Sequence, residues 1–401
     1  MFESLASLSD GFSILFVTSP VWLPVFLFFV FKMIWMMYVQ TKSFLEIPTT
    51  LLEVRIPREI SKSPLAMENA LNAFFHTGEP GTMGEEYLRG ATRPQFSLEI
   101  VSFEGDIRFF IRTRQKIRNI IEAQIYSQYP EVEIYEVEDY MHRFTFDLTK
   151  MNLFGIELML QKPDPYPIKT YVDFGLDKDP KEEFKVDPLS GIIEFFSAFG
   201  KGEYGLLQIV IRSHQSEKRK PGTLFQTEDW REEAKRETAN IIDSLKTETD
   251  GFTVYRPPTP QEKDLLESLG RNIAKKPFDT GIRSLYIADK EHYNSARHSG
   301  FPTMFRQFES HTLNGFRPKF PTVFVRKRQD PFGMKKRMNQ RMLFNAYRLR
   351  SFFIPPYKRP YFVLSAEELA TVFHFPGAAT QAPTLGRISS TKGGAPPNLP
   401  I

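Results

Sequence analysis

Twenty-one consecutive residues near the N-terminus, Gly11 to Phe31, carry no charge and are dense in Phe, Leu, Val and Ile. At a rise of about 1.5 Å per residue, such a run in helical form matches a hydrocarbon core roughly 30 Å thick. A segment of this kind fits a bilayer better than the core of a small domain. Trp22, Trp35 and Tyr38 supply amphipathic rings of the sort that settle at membrane interfaces, and they are expected to anchor the span. Pro20 and Pro24 are tolerated in a spanning helix. The flank before the run holds Glu3 and Asp10 and no Lys or Arg, unlike the basic leader of a secretory signal. Lys32, Lys42, Arg55 and Arg58 follow it, so the positive-inside rule places the N-terminus outside and the rest of the chain in the cytoplasm, at a cell (inner or plasma) membrane.

Beyond residue 45 the pattern is that of an α+β protein. Leu51 to Pro57 alternates as a half-buried strand, and Ser63-Pro64 opens a helix with Leu65, Met67, Leu71 and Phe74 toward one side. Phe96 to Phe103 and Ile107 to Thr113 form two strands joined across Glu104, Gly105 and Asp106. An amphipathic helix from Arg114 to Tyr129 and a strand from Glu131 to Val137 complete a βαββαβ order, the ferredoxin-like arrangement.

A second set is expected from strands at Ile156 to Gln161 and Ile168 to Phe174, and a helix from Asp187 to Phe199. The strand Tyr204 to Ile211, a helical insertion Trp230 to Leu245, a helix Pro260 to Ala274 and the strand Gly281 to Ala288 follow. The expected organisation is an anchor (1–45), tandem ferredoxin-like domains (46–150 and 151–316), a basic segment with a short helix (317–376) and a flexible tail (377–401).

Four segments resemble a known family: PLSGIIEFFSAFGKGEYGLLQIVIR from Pro188 to Arg212, GIRSLYIA from Gly281 to Ala288, the run from Met304 to Phe316, and VLSAEELATVFHFPG from Val363 to Gly377. They resemble the region preceding the motor core in membrane-associated HerA/FtsK-type ATPases of bacterial type IV secretion and conjugation systems. In those ATPases a Pro-rich hinge leads to the nucleotide-binding core. Here the hinge-like Ala395 to Pro400 is the last such feature. The resemblance implies an oligomeric assembly or docking subunit that serves a separate ATPase, and it brings tandem ferredoxin-like domains with it.

Chemistry-bearing motifs are sparse. A phosphate-cradling loop requires Gly-x4-Gly-Lys-Ser/Thr, and Gly200-Lys201-Gly202 lacks both the leading Gly and the hydroxyl residue, so it reads as a helix stop. The seven histidines show no metal-ligand spacing, and there is no Cys. His292 and His298 read as a surface pair, and His374 as a packed or capping residue. No enzyme activity, cofactor or metal is expected. The rival readings are an enzyme acting on lipid or nucleotide, and a nucleic-acid-binding module.

One segment does carry a signal. Arg317 to Arg359 holds thirteen Lys or Arg against the single acid Asp330, interleaved with Phe and Tyr. The candidate polyanion-binding residues are Arg326, Lys327, Arg328, Lys335, Lys336, Arg337, Arg341, Arg348 and Arg350. Anionic lipid, nucleic acid and a plain solvated face all fit this composition.

Overall fold

The computed structural model describes residues 2–57, 62–75, 82–177, 186–216, 226–227, 229–249, 252–319, 330–377 and 387–388. In chain order the elements begin with α1 (Phe2–Glu46), β1 (Thr49–Pro57), α2 (Pro64–Phe74), α3 (Met83–Tyr87), β2 (Gln95–Phe103), β3 (Asp106–Arg114), α4 (Arg118–Gln128) and β4 (Glu133–Val137). Next come β5 (Met151–Leu160), α5 (Ser190–Ser197), β6 (Glu203–Ser213), α6 (Trp230–Ser244), β7 (Lys246–Thr249), β8 (Phe252–Tyr255), α7 (Pro260–Ile273) and β9 (Pro277–Asp289). The last are α8 (Gly300–Thr303), β10 (Phe316–Lys319), α9 (Met334–Leu349), β11 (Phe362–Ser365), α10 (Ala366–Val372) and β12 (Arg387–Ile388).

These fall into two units, the first made of residues 1–47, 79–92 and 354–358. Its α1 continues through Pro20 and Pro24, and Val17–Glu46 is long and apolar enough to cross a membrane. Val17, Val21, Phe26, Phe28, Phe29 and Phe31 are all exposed, as a lipid-facing helix requires. Trp35 is less free than an interfacial ring should be, because its Nε1 donates to the Tyr87 carbonyl at 2.7 Å. Tyr38 and Trp22 remain exposed.

The second unit holds one ten-stranded sheet and a separate β7–β8 hairpin. The order β4-β1-β3-β2 is followed by β6-β9-β5-β10, with β2 and β6 joined antiparallel from Gln95↔Arg212 to Phe103↔Tyr204. The boundary expected at residue 150 therefore separates no bodies. Local sequence chemistry sets the elements. Ser63 accepts the Leu65 N–H to start α2 at Pro64, Thr259 and Glu262 form a capping box for α7, and Glu104 (φ 55) with Gly105 (φ 96) makes the tight β2–β3 turn.

Strand alternation sorts side chains onto two faces. Phe96, Leu98 and Ile100 of β2, Ile107, Phe109 and Ile111 of β3, and Leu207, Ile209 and Ile211 of β6 line the first, in a core shared with α2, α4, α5 and α10. α10 is buried throughout, with Phe373 and Phe375 against Phe109. The described residues of the 317–376 segment other than 354–358 thus complete this unit instead of standing apart. The second face mixes Leu206 and Leu285 with charged residues, and α9 lies against it.

Two expectations are corrected. Ile168 to Phe174 is a run of turns, not a strand, because its backbone N–H groups are taken elsewhere: Ile168 by Glu368 at 3.0 Å, Tyr171 by Thr371 at 2.9 Å and Thr170 by Asp173 at 2.8 Å. The tail was expected to be flexible, yet Arg387–Ile388 pairs in parallel with Ile56–Pro57 of β1. The rest of the tail after Gly377 lies outside the described residues.

Candidate functional site

The basic segment becomes α9. Gly333 (φ 66) makes the turn into it, and the Asp330 carboxylate accepts the Lys336 N–H at 2.8 Å, which holds that carboxyl below its usual range. Leu343, Phe344, Ala346 and Tyr347 are buried, whereas Lys335, Lys336, Arg337, Arg341 and Arg348 are exposed. At the far end Arg350 takes a left-handed conformation (φ 53), its N–H bonding Tyr347 O at 3.0 Å while Ser351 N–H bonds Ala346 O at 3.1 Å. This is the hydrogen-bond pattern of a Schellman motif, with Arg where Gly is usual.

What holds Arg350 there is a buried charge network. Its Nε donates to Glu99 Oε1 at 2.9 Å and its Nη2 to Glu99 Oε2 at 3.2 Å; both Nη1 and Nη2 also engage Asp139. Glu99 further accepts from Ser97 (2.6 Å), Gln208 (3.0 Å) and Tyr140 (2.5 Å), and Tyr140 in turn accepts from the Tyr347 hydroxyl at 2.8 Å. Burial pushes Glu99 up, but the adjacent guanidinium and these donors outweigh it, and its carboxyl lies below the usual range. Burial and the Arg350 charge pull Arg112 down to about 10, while its Nη1 donates to Leu349 O at 3.1 Å. The row extends straight across the sheet: Glu99 pairs with Gln208, Gln208 with Arg283, and Arg283 with Glu157.

This network positions two walls of a cleft. Arg350 closes α9, and Asp139 opens the 3-10 turn Tyr140–Arg143 by accepting the Met141 N–H at 3.0 Å. Both are fixed to Glu99. Between α9 and the chain from Met141 to Asn152 lies a cleft of about 1420 Å³, lined by Lys290, Lys336, Arg337, Arg341 and Arg348, with His142 on the opposite wall. Among the described residues none of these five cations has an ion-pair partner. Asp147, the acid in the lining, accepts the Thr149 N–H at 2.8 Å and hydroxyl at 2.6 Å on one oxygen, which hold its carboxyl below the usual range, and its charge partly offsets that of Lys290. Five cations against one carboxylate leave the lining net positive.

The candidate cations divide accordingly. Lys336, Arg337, Arg341 and Arg348 converge on the cleft, and Lys335 is exposed beside it. Arg326, Lys327 and Arg328 lie outside the described residues. Arg350 is a correction: at 1% exposed and ion-paired twice, it is a structural cation that no external anion can reach.

His298 stacks on Phe154 at 4.2 Å and meets Tyr293 at 2.5 Å, so it belongs to no surface pair with His292. His374 is buried between Ala370 O and Asp187. Among the described residues no cluster of three or more His, Cys, Asp or Glu could hold a metal. Gly200-Lys201-Gly202 forms the turn between α5 and β6, with Gly200 N–H on Glu203 at 2.8 Å and Gly202 N–H on Glu104 at 2.9 Å.

Residues 40–386 match the family model described as a domain of unknown function, DUF8128. The chain belongs to this family. The DUF8128 match begins within α1 and takes in every strand of the sheet except β12, together with α9 and the cleft. No curated protein matches the sequence. Among solved structures, 6-hydroxy-D-nicotine oxidase from Arthrobacter nicotinovorans is similar over 76% of this chain and 54% of its own, with a TM-score of 0.29 and 10% identity. The match spans about half of that oxidase and is too slight to bear on fold or chemistry. Within the DUF8128 region, Lys290 and His142 join the site without having stood out in the sequence. They lie far from the basic run, and only the strand ends bring them to α9.

Proposed function

We propose that this chain is a single-pass membrane-anchored docking subunit of a type IV secretion-like or DNA-translocation-like machine, non-catalytic itself and serving a separate HerA/FtsK-type ATPase. The observation that carries this reading is the convergence of the four family-resembling segments on adjoining parts of one sheet. Pro188–Arg212 supplies α5 and most of β6, Gly281–Ala288 the middle of β9, Met304–Phe316 the approach to β10, and Val363–Gly377 β11 and α10; β6 and β11 both pair with β9. The orders β4-β1-β3-β2 and β10-β5-β9-β6 support two ferredoxin-like halves, each with its fourth strand beside the first and its third beside the second. α1 supplies the anchor, and the basic residues after it support a cytoplasmic second unit.

The test is affinity purification of the intact chain from gently solubilised membranes, with mass spectrometry of what accompanies it. An ATPase of this type should co-purify, and truncation after Gly377 should weaken its recovery. Full recovery without the tail removes the tail's docking role; no ATPase with the intact chain overturns the reading.

A further inference from the structure

The cationic cleft has a neighbour that its charge does not explain. Phe332 (81% exposed), Met334 (71%) and Met338 (63%) stand in solvent beside the unpaired cations of α9. Large apolar side chains next to Lys and Arg that are unpaired among the described residues, on the exposed side of one helix and the turn before it, are the composition of an element that lies in a bilayer interface. A nucleic-acid strand would need ring faces free for stacking. The rings lining the cleft are already engaged, Phe146 with Phe344 at 5.5 Å between centroids and Phe144 with Tyr204 at 5.0 Å, and the exposed Phe332 is one ring face where a strand stacks successive bases on several. Connectivity favours the same partner, because only Ile47 and Pro48 separate α1 from β1.

We infer that the outer face of α9 and the cleft beside it dock on an anionic bilayer, the cleft receiving lipid phosphate and Phe332, Met334 and Met338 entering the headgroup layer. The inference rests on the anchoring part of the proposed function and is independent of any ATPase. Docking of this kind fixes the orientation of the second unit against the membrane, through charge that salt can screen.

The full chain has no cysteine, so Met338→Cys gives a unique site for an environment-sensitive fluorophore. The labelled chain is reconstituted in nanodiscs of phosphatidylcholine alone or mixed with phosphatidylglycerol, with brominated lipid as quencher. Quenching is expected in the mixed bilayer and not in the zwitterionic one, and it should disappear when salt shortens the Debye length to about 3 Å. Lys336→Gln and Arg341→Gln should each lower the docked-to-undocked ratio about fivefold. Both side chains are exposed and unpaired among the described residues, and the salt series needs neither variant. Equal quenching in both bilayers, or none in either, overturns the inference. So does a label that responds to single-stranded DNA and not to lipid. Alkaline carbonate extraction reports the anchor separately, and anionic-bilayer contact without ATPase recovery would leave the inference standing while removing the docking-subunit reading.

Discussion

Replacing Arg350 by Met removes the guanidinium that Glu99 and Asp139 share and leaves the volume nearly filled. Glu99 is fully buried, with donors remaining from Ser97, Gln208 and Tyr140, but its charge is no longer matched. Breaking a buried pair from one side costs about 3–5 kcal/mol, because the surviving charge stays out of water. The left-handed backbone at position 350 is kept in the variant, so its strain cancels in the comparison. Urea unfolding of the full chain in nanodiscs, with hydrogen exchange in β2 as a local readout, measures the loss. The double variant Glu99→Gln, Arg350→Met should regain most of it, since replacing both charges is close to neutral.

The pH dependence has a definite sign. In the native chain Glu99 sits below the ordinary carboxylate range, so its contribution is present above that range and is lost as pH falls through the lowered folded pKa. Without Arg350, burial dominates and raises the Glu99 pKa, so the variant's deficit should be greatest at neutral pH and shrink on acidification. A single variant within about 1 kcal/mol of the native chain at neutral pH, or a double variant no more stable than the single, would refute the claim that this pair holds α9.

Burial pushes Glu368 up to about 7, so its contribution to stability is full below the ordinary carboxylate range and is lost, by about 3 kcal/mol, as pH rises through 7. Glu368→Gln should flatten that part of a melting-temperature profile, and an unchanged slope would count against the assignment. Gly281→Ala places a Cβ 2.3 Å from the Phe352 ring and should destabilise the chain by about 1–3 kcal/mol in denaturant titration, with Phe352→Leu recovering part of the loss in the same background.

Local pattern makes much of the fold legible in the sequence. The apolar run of α1, the strands β1, β2, β3, β6 and β9, and the cap of α2 all follow from periodicity and capping residues within a few positions. Ile168 to Phe174 was misread because its alternation is real, yet the side chains that capture its backbone N–H groups lie about two hundred residues away in α10. The candidate site divides the same way. Composition pointed to Lys336, Arg337, Arg341 and Arg348, but it could not separate them from Arg350, which looks alike in sequence and is sequestered only because Glu99 pairs with it from β2. Lys290 and His142 were invisible for the converse reason, as isolated residues gathered by the sheet.

The join between β2 and β6 has a consequence of symmetry. Each is the second strand of its own half, and their antiparallel register is centred on Glu99 opposite Gln208. By strand order, half a turn about that pair carries β3 onto β9, β1 onto β5 and β4 onto β10. The polypeptide thus contains, within one molecule, the kind of contact through which two copies of a small domain form an isologous dimer. Because one chain links the two halves, that contact does not weaken on dilution, and the halves are free to differ: one closes with the tight Glu104–Gly105 turn, where the other inserts α6, the β7–β8 hairpin and α7. α9 ends directly over the pseudo-axis, with Gln208 donating to Tyr347 O at 3.2 Å and Arg350 clasping Glu99. A single helix seated on a two-fold must break it, which is how a near-symmetric sheet comes to have one direction.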